Sequence, residues 1–140
     1  MAEHSSGPRD PAHDGWERHE SDSFAGNMGA VFERMRNGRI EIALQTDERH
    51  KNLSGFVHGG VMMTLFDRTV GINCRQDCDG ARIATATMTV NFLRQVAVGD
   101  FLRMTCDLRK KGRTTIFADA EATVGDRLVA TASGLMMRIG

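Results

Sequence analysis

The stretch GGVMMTLFDRTVGINCRQ, residues 59–76, carries the strongest helical pattern in the sequence. At about 100° per residue its apolar side chains gather on one broad arc, and the polar turn DCDG, residues 77–80, ends the pattern. Asp67 lies at the edge of the opposite, polar arc. The stretch therefore predicts one long amphipathic helix with a side that faces a core. The apolar residues on that side are Val61, Met62, Met63, Leu65, Phe66, Val70 and Ile72.

Strand patterns fill the sequence after this helix. In IATATMTVNFL, residues 83–93, apolar and polar side chains alternate, and the same alternation recurs around residues 102–108, 116–124 and 128–139. Short turns such as KKGR, residues 110–113, join these segments, and short turns make neighbouring strands antiparallel. Many positions on one face are alanine or glycine, so a helix can lie close to that face. Only the helix of residues 59–76 is long and apolar enough to cover such a sheet.

The residues before the helix predict three further parts. RIEIALQT, residues 39–46, alternates as a half-buried strand. Residues 1–22 contain both prolines and many charges around a single large apolar group, Trp16, and predict a flexible tail. A short helix over residues 24–35 is predicted from apolar side chains at helical spacing, namely Phe24, Met28, Val31, Phe32 and Met35. The expected fold class is α+β, with an antiparallel sheet of five to six strands wrapped around one long helix in a single domain, residues 23–140.

Composition excludes several classes of protein. With 140 residues the chain suits one domain, and its formal net charge of zero gives no reason to expect a nucleic-acid partner. No apolar run approaches the roughly 20 residues of a membrane-spanning helix, and the N-terminus lacks the apolar core of a secretory signal. Three cysteines without a disulfide pattern predict a reducing, cytoplasmic setting. Cys74 and Cys78, with His50 and His58 upstream, match no standard zinc spacing, so no metal is predicted.

The start of the long helix has features that a reactive site needs. The first N–H groups of a helix are unpaired and carry partial positive charge, which suits a developing oxyanion. Gly59 and Gly60 let a substrate carbonyl approach these groups without a Cβ in the way. Asp67 follows Gly59 by eight residues, or about 12 Å along the same axis, so one chain cannot easily bring both to one carbonyl. A catalytic motif would therefore be shared across a twofold dimer axis. The simpler interpretation is an amphipathic helix with Asp67 and Arg68 in solvent.

Two stretches resemble a known family. NLSGFVHGGVMMTLFD, residues 52–67, and TATMTVNFLRQVAVGD, residues 85–100, are similar to the hot-dog-fold acyl-CoA thioesterases of the phenylacetate-pathway type. The shared pattern is an Asn, a Gly, then His-Gly-Gly and an acid seven residues after the second glycine. The resemblance covers about residues 24–139. It implies hydrolysis of an acyl-CoA thioester without a metal or cofactor, since CoA is part of the substrate.

The resemblance also implies roles for individual residues. Gly59 would polarise the thioester carbonyl through its N–H, and Asp67 of the partner subunit would act as general base or as direct nucleophile. Asn52 would orient the carbonyl or the water. His58 would position the loop or bind near the carbonyl, although a structural cap at the helix start is an equal alternative. Thr85 falls where the family often has a Ser or Thr near the water, although threonine also simply suits a strand.

Substrate contacts are predicted from the same resemblance. Gly60 would lie against the substrate, and Met63 would line an apolar acyl pocket together with Met62, Phe66 and Met88. The phosphates of CoA predict basic residues nearby, with Arg94, Lys110 and Arg113 as the main candidates beside Arg109 and Lys111. A solvated hairpin tip explains the basic cluster of residues 109–113 equally simply. The expected assembly is a homodimer, and a dimer of dimers beyond it.

Two other functions are compatible with the same fold. One is a non-catalytic acyl-CoA-binding or sensing module, which the presence of both the glycine pair and Asp67 disfavours because binding alone does not need the acid. A hydratase or dehydratase usually pairs its histidine and acid in a differently spaced motif. The preferred prediction is an acyl-CoA thioesterase that acts on an aryl- or medium-chain acyl group.

Overall fold

A computed structural model describes residues 11–139, which form one α-helix and one seven-stranded sheet. Every neighbouring pair of strands is antiparallel, in the order β1-β2-β3-β5-β6-β7-β4. The helix contacts five of the strands, so the sheet wraps around it and the predicted hot-dog architecture is confirmed. The elements are β1 (Glu17–Arg18), β2 (Ala30–Arg36), β3 (Arg39–Gln45), α1 (Gly59–Asp77), β4 (Arg82–Phe92), β5 (Phe101–Lys111), β6 (Thr115–Val124) and β7 (Arg127–Ile139).

The core lies between α1 and the concave face of the sheet. Leu65, Phe66 and Val70 project from the helix and are almost completely buried. Alanines on β6 and β7 face them, and these small side chains bring the helix close to the sheet, as the sequence predicts. No helix within residues 11–139 is both long and apolar enough to cross a bilayer.

A buried amide side chain ties the helix to the sheet. Asn73 is fully buried, and its Nδ2 donates to the carbonyl oxygens of Ile40 and Thr69, both at 2.8 Å. Its Oδ1 accepts the N–H of Ile40 at 2.8 Å. Asn73 therefore satisfies both backbone groups of one β3 residue and sets the position of α1 along the sheet.

Replacing Asn73 with leucine is expected to lower the free energy of unfolding by about 2–4 kcal/mol. The side chain keeps its approximate size, but the N–H and C=O of Ile40 lose their partner, and each such loss costs about 1–3 kcal/mol. Chemical denaturation followed by circular dichroism measures the change. The exposed neighbour Gln76, replaced by leucine in the same way, serves as the control. Equal stability of the two variants would contradict the role of Asn73 in holding α1 against β3.

The predicted helix over residues 24–35 is wrong. Residues Phe24–Met28 form a 3₁₀ helix, Gly29 adopts φ +99°, and the chain then continues as strand β2. The backbone at Gly29 is left-handed and cannot continue a right-handed helix. All seven residues of β2 pair with β3, and this pairing outweighs the local helical spacing. Phe24 and Met35, two of the five side chains that suggested the helix, are exposed by 68% and 59%.

The segment around Trp16 also differs from the prediction of a flexible tail. Trp16 is only 4% exposed and packs edge-to-face on Phe101 at 5.7 Å between ring centroids. The Arg34 guanidinium stacks on the Trp16 ring, 4.1 Å from the ring centroid. This cluster covers the convex face of the sheet, where Ala43 leaves room for an indole ring. One large aromatic group is thus sufficient to dock the segment. Residues 1–10 of the predicted tail lie outside the described residues.

The strand count of seven exceeds the predicted five to six because of these two segments. Strand β1 follows Trp16 directly and pairs with β2, and β2 itself replaces the predicted helix. Both additions lie at the same edge of the sheet, so the arrangement of the remaining strands around α1 is as expected.

Candidate active site

His58 forms the N-terminal cap of α1. Its backbone is extended (φ −64°, ψ 139°), and its Nδ1 accepts the N–H of Gly60 at 3.0 Å. The N–H of Gly60 is therefore occupied, so the predicted contact of Gly60 with substrate would have to involve other atoms of this residue. The N–H of Gly59 is the first of the helix and has no intrahelical acceptor by its position. Gly59 is thus the donor available to a ligand at the helix start, while His58 has the structural role of a cap.

The loop before the helix holds Asn52 in a fixed orientation. Its Oδ1 accepts the N–H groups of Ser54 at 2.9 Å and Phe56 at 3.1 Å, and its own N–H donates to the Phe56 carbonyl at 2.7 Å. These bonds assign the amide oxygen, since only an oxygen can accept both N–H groups. The Nδ2 group has no partner within residues 11–139. It is a free donor, and it suits a carbonyl oxygen.

Asn52 and Gly59 line one cavity of about 340 Å³, called here the Gly59 pocket. Its walls are mostly apolar, and Arg94 supplies a positive charge. A Cβ added to Gly59 would lie 3.1 Å from Cζ of Phe92, so glycine lets this ring close over the helix start. The Gly59 pocket therefore combines two hydrogen-bond donors with an apolar wall and one cation.

Asp67 lies on the exposed side of α1, and Thr85 of β4 binds it. The Thr85 hydroxyl donates to Asp67 Oδ1 in a short hydrogen bond. This hydrogen bond fixes the orientation of the carboxylate. Oδ2 is left free to act on a ligand. The two predicted residues thus lie together.

A β-bulge explains why Thr85 faces the helix. The pairing of β4 with β7 shifts between Thr85 and Thr87, so Ala86 is an extra residue. Before the bulge Ile83 packs on the core; after it Met88 and Val90 do. The extra residue reverses the alternation. The predicted strict alternation, with all threonines of this strand on one face, is therefore wrong at this point.

Asp67 also lines a second, larger cavity of about 700 Å³, called here the Asp67 groove. It runs along α1 from Thr64 to Arg75, which is about 16 Å at 1.5 Å per residue. Three arginines line it, namely Arg68, Arg75 and Arg82. Sequence reasoning placed Arg68 in solvent and did not identify the other two. Their grouping depends on where β4 begins beside the helix, and no local pattern carries that information.

Gly59 and Asp67 occupy different cavities of the same chain. They are eight residues apart on one helix, about 12 Å along its axis. The chain therefore brings Asn52, Gly59 and Arg94 together in one place and Asp67 and Thr85 in another.

Three other predicted contact residues lie apart from both cavities. Met63 is on α1 but 44% exposed, and it lines neither the Gly59 pocket nor the Asp67 groove. Lys110 and Arg113 are exposed at the hairpin between β5 and β6. The neighbouring Lys111 donates to the carbonyl of Asp77 at the C-terminal end of α1. Within one chain this basic hairpin is therefore at the opposite end of the helix from Gly59.

The cysteines and His50 have structural positions. Burial raises the pKa of Cys74 to about 11 and that of Cys106 to about 12, so both thiols stay protonated near neutral pH. Both ring nitrogens of the buried His50 are engaged, one by the Asp47 N–H and the other by the Met28 carbonyl. Among residues 11–139 no three acidic, histidine or cysteine side chains form a group that suits a metal ion.

Comparison with known proteins places the chain in a family. Residues 54–133 match the thioesterase superfamily. The Pseudomonas aeruginosa protein named "Putative esterase PA0474" is 34% identical over 110 residues, which cover 77% of this chain and 82% of that protein. The Escherichia coli protein named "Acyl-coenzyme A thioesterase PaaI" is 26% identical over 134 residues, covering 92% and 94%.

A solved structure has a fold similar to that of this chain. Conserved protein PA5202 from Pseudomonas aeruginosa superposes with a TM-score of 0.77 at 26% identity, over 84% of this chain and 94% of the other. The family match includes the capped helix start, the acid on the helix and the strand that carries Thr85. This chain belongs to the thioesterase superfamily and is a PaaI-like hot-dog thioesterase, a thioester hydrolase.

Proposed function

We propose that this protein hydrolyses an aryl- or medium-chain acyl-CoA to the free acid and CoA. The observation that carries the proposal is the pairing of two donors, Gly59 N–H and Asn52 Nδ2, with an acid, Asp67, that Thr85 orients. Donors of this kind stabilise an oxyanion, and a fixed carboxylate activates water. The relatives named as thioesterases and esterases support the same chemistry.

The donors of the Gly59 pocket and the acid Asp67 can act on the same carbonyl if they come from different subunits. Two antiparallel helices across a twofold axis bring Gly59 of one chain beside Asp67 of the other. Asp67 takes a proton from water while the water oxygen bonds to the thioester carbon, and the Gly59 N–H binds the resulting oxyanion. The carbon–sulfur bond then breaks, and the thiolate takes the proton from Asp67. Direct attack by the carboxylate, with later hydrolysis of the anhydride, uses the same residues.

Several surface features favour a homodimer with shared sites. Strand β4 is a long edge strand, and its free N–H and C=O groups can pair with another chain. Large apolar side chains lie exposed beside it and on α1, among them Phe92 at 50%, Leu93 at 53% and Met63 at 44%. A dimer interface would bury these apolar side chains, and Met63 would then be an interface residue. A dimer of dimers is the further expectation.

In this proposal each of the two cavities binds a different part of the substrate. The Asp67 groove has apolar walls from Phe24, Ile72, Ile83 and Ile139, which suit an aryl or medium-chain acyl group. The Gly59 pocket suits the pantetheine arm, with Arg94 toward a phosphate of CoA. Lys110 and Arg113 would contact CoA only from another subunit. The cytoplasmic location stays a prediction.

Release of free thiol from a panel of acyl-CoAs tests the proposal. Benzoyl-, phenylacetyl-, hexanoyl-, decanoyl- and palmitoyl-CoA form the panel, and turnover is expected for aryl and medium-chain members above the long-chain member. A thiol reagent measures the rate, and calorimetry measures binding in parallel. Binding without release from any thioester would favour a non-catalytic acyl-CoA-binding module instead.

A further inference from the structure

The strongest unexplained feature outside the reacting groups is Arg68. Its side chain lines the Asp67 groove, and its Nε is buried without a hydrogen-bond partner among residues 11–139. No carboxylate within those residues forms an ion pair with its guanidinium. A buried donor of a charged group without an acceptor is costly, and the guanidinium group to which it belongs lines a cavity that can hold an anionic ligand.

The N-terminal segment holds this guanidinium in place. Arg68 Nη2 donates to His19 Nε2 at 2.9 Å, and His19 Nδ1 lies 2.9 Å from Glu33 Oε2. Arginine can only donate, so Nε2 of His19 is the acceptor and Nδ1 carries the proton that binds Glu33. The backbone N–H of His19 binds the Val31 carbonyl at 2.7 Å, which anchors the histidine to β2. Arg68 is therefore preorganised, and it is linked to the Glu33 carboxylate only through the His19 ring, without a direct ion pair.

Two further arginines give the Asp67 groove additional positive charge. Arg75 and Arg82 line it and make no ion pair within the described part of the chain, and Asp67 is the only acid in the lining. Apolar side chains lie between these charges, among them Phe24, Ile72 and Ile83. A groove of this kind fits a ligand that is apolar along its length and anionic at its end.

The position of Arg68 distinguishes two sources of such an anion. Arg68 and Asp67 line the same groove, so the Arg68 side chain lies in the cavity that holds the acyl group in the proposed function. The phosphates of CoA are separated from the thioester sulfur by the whole pantetheine arm with its two amides. The acyl group, and not a phosphate of CoA, is therefore the part of the substrate that we expect beside Arg68.

We propose that the Asp67 groove selects acyl groups that carry a second acid, a carboxylate that pairs with Arg68 and, for longer chains, with Arg75 or Arg82. This inference rests on the proposed thioesterase function and narrows its substrate class. Arg68 acts here as a specificity residue through a charge-assisted hydrogen bond from its guanidinium group.

Paired substrates test the selection. An ω-carboxyacyl-CoA series of increasing length is compared with methyl-ended acyl-CoAs of equal length, by kcat/KM for thiol release. The wild-type protein is expected to prefer the carboxylated member by about tenfold or more at the best length. Arg68→Met should lower kcat/KM for that member by about tenfold to a hundredfold, the usual effect of losing a hydrogen bond to a charged group, and for the neutral member by less than about threefold.

Three further variants test separately the shape of the guanidinium group, the contribution of a neighbouring arginine and the loss of one positive charge elsewhere. Arg68→Lys keeps the charge but lacks the planar guanidinium with its several donors, and should lose part of the preference. Arg75→Met leaves the contact with His19 intact and should reduce the preference for the longer chains, so the test survives if Arg68→Met fails to fold. Arg36→Met removes the same charge from an exposed site at the end of β2 and should leave the preference unchanged.

Carboxyacyl-pantetheine thioesters, which lack the phosphates of the nucleotide, complete the test. The effect of Arg68→Met should persist with them, and its disappearance would assign Arg68 to a phosphate and overturn the inference. Equal kcat/KM of the wild-type protein for carboxylated and neutral members would overturn the inference while leaving the thioesterase function intact. Absence of thiol release from both series would overturn the proposed function itself.

Discussion

Asp67→Asn is expected to lower kcat for thioester hydrolysis by about a hundredfold to ten-thousandfold, the range that a positioned general base contributes. Asparagine has the same shape, and its Oδ1 still accepts the Thr85 hydroxyl, so the groove keeps its geometry. It cannot take a proton from water or attack the carbonyl. Steady-state thiol release with the best substrate of the panel measures the loss.

A matched variant controls for the change of charge. Asp126→Asn alters an exposed carboxylate in the turn between β6 and β7, outside both cavities, and should leave kcat within about twofold. Circular dichroism and the thermal midpoint of the two variants should agree with those of the wild-type protein. Near-wild-type turnover by Asp67→Asn would remove Asp67 from the mechanism.

Gly59→Pro is expected to lower kcat by about a hundredfold to a thousandfold, the usual effect of deleting one oxyanion donor. Proline lacks the N–H but is well tolerated at the first position of a helix. It also restricts the preceding residue to extended backbone, which His58 already adopts at φ −64° and ψ 139°. Gly59→Ala is the matched control, because it adds a Cβ against Phe92 and keeps the N–H. An equal loss in both variants would assign the effect to the ring contact and not to the donor.

Mixing these two inactive variants tests whether the site is shared. In a mixed dimer, one site combines both defects and the other combines an intact Gly59 with an intact Asp67. Random exchange makes half of the dimers mixed, and each has one intact site of two, so about a quarter of the wild-type activity should return. Unfolding and refolding the variants together allows exchange, and separately refolded samples are the control. A site contained within one chain would give no recovery.

The sequence predicted those features whose signal is local and strong. The long helix, the strand pattern apart from the bulge in β4, and the separation of Gly59 from Asp67 follow from periodicity and from the rise of a helix, and the structure reproduces them. The short helix over residues 24–35 failed because Gly29 and the pairing of β2 with β3 outweigh a helical spacing of apolar residues. The prediction for Trp16 was wrong because composition does not reveal that the Phe101 ring and the Arg34 guanidinium pack against it.

The site was predictable in part for the same reason. The His-Gly-Gly motif indicates a helix start, and an acid on that helix is visible in the sequence. The role of His58 as a cap, the orientation of Thr85 and the environment of Arg68 depend on side chains that meet from distant elements. Arg68 in particular owes its position to His19, 49 residues earlier in the chain. No periodicity connects two such residues.

The bulge in β4 gives this strand an unusual tolerance to change. Ala86 is exposed and contacts neither α1 nor the core, so substitution there should be nearly silent. Removal of the residue is a different matter, since it would turn every side chain before it to the opposite face. Ile83 would then leave the core and Thr85 would turn away from Asp67. Position 86 must therefore be occupied by a residue, but the identity of that residue matters little: substitutions are tolerated there and a deletion is not.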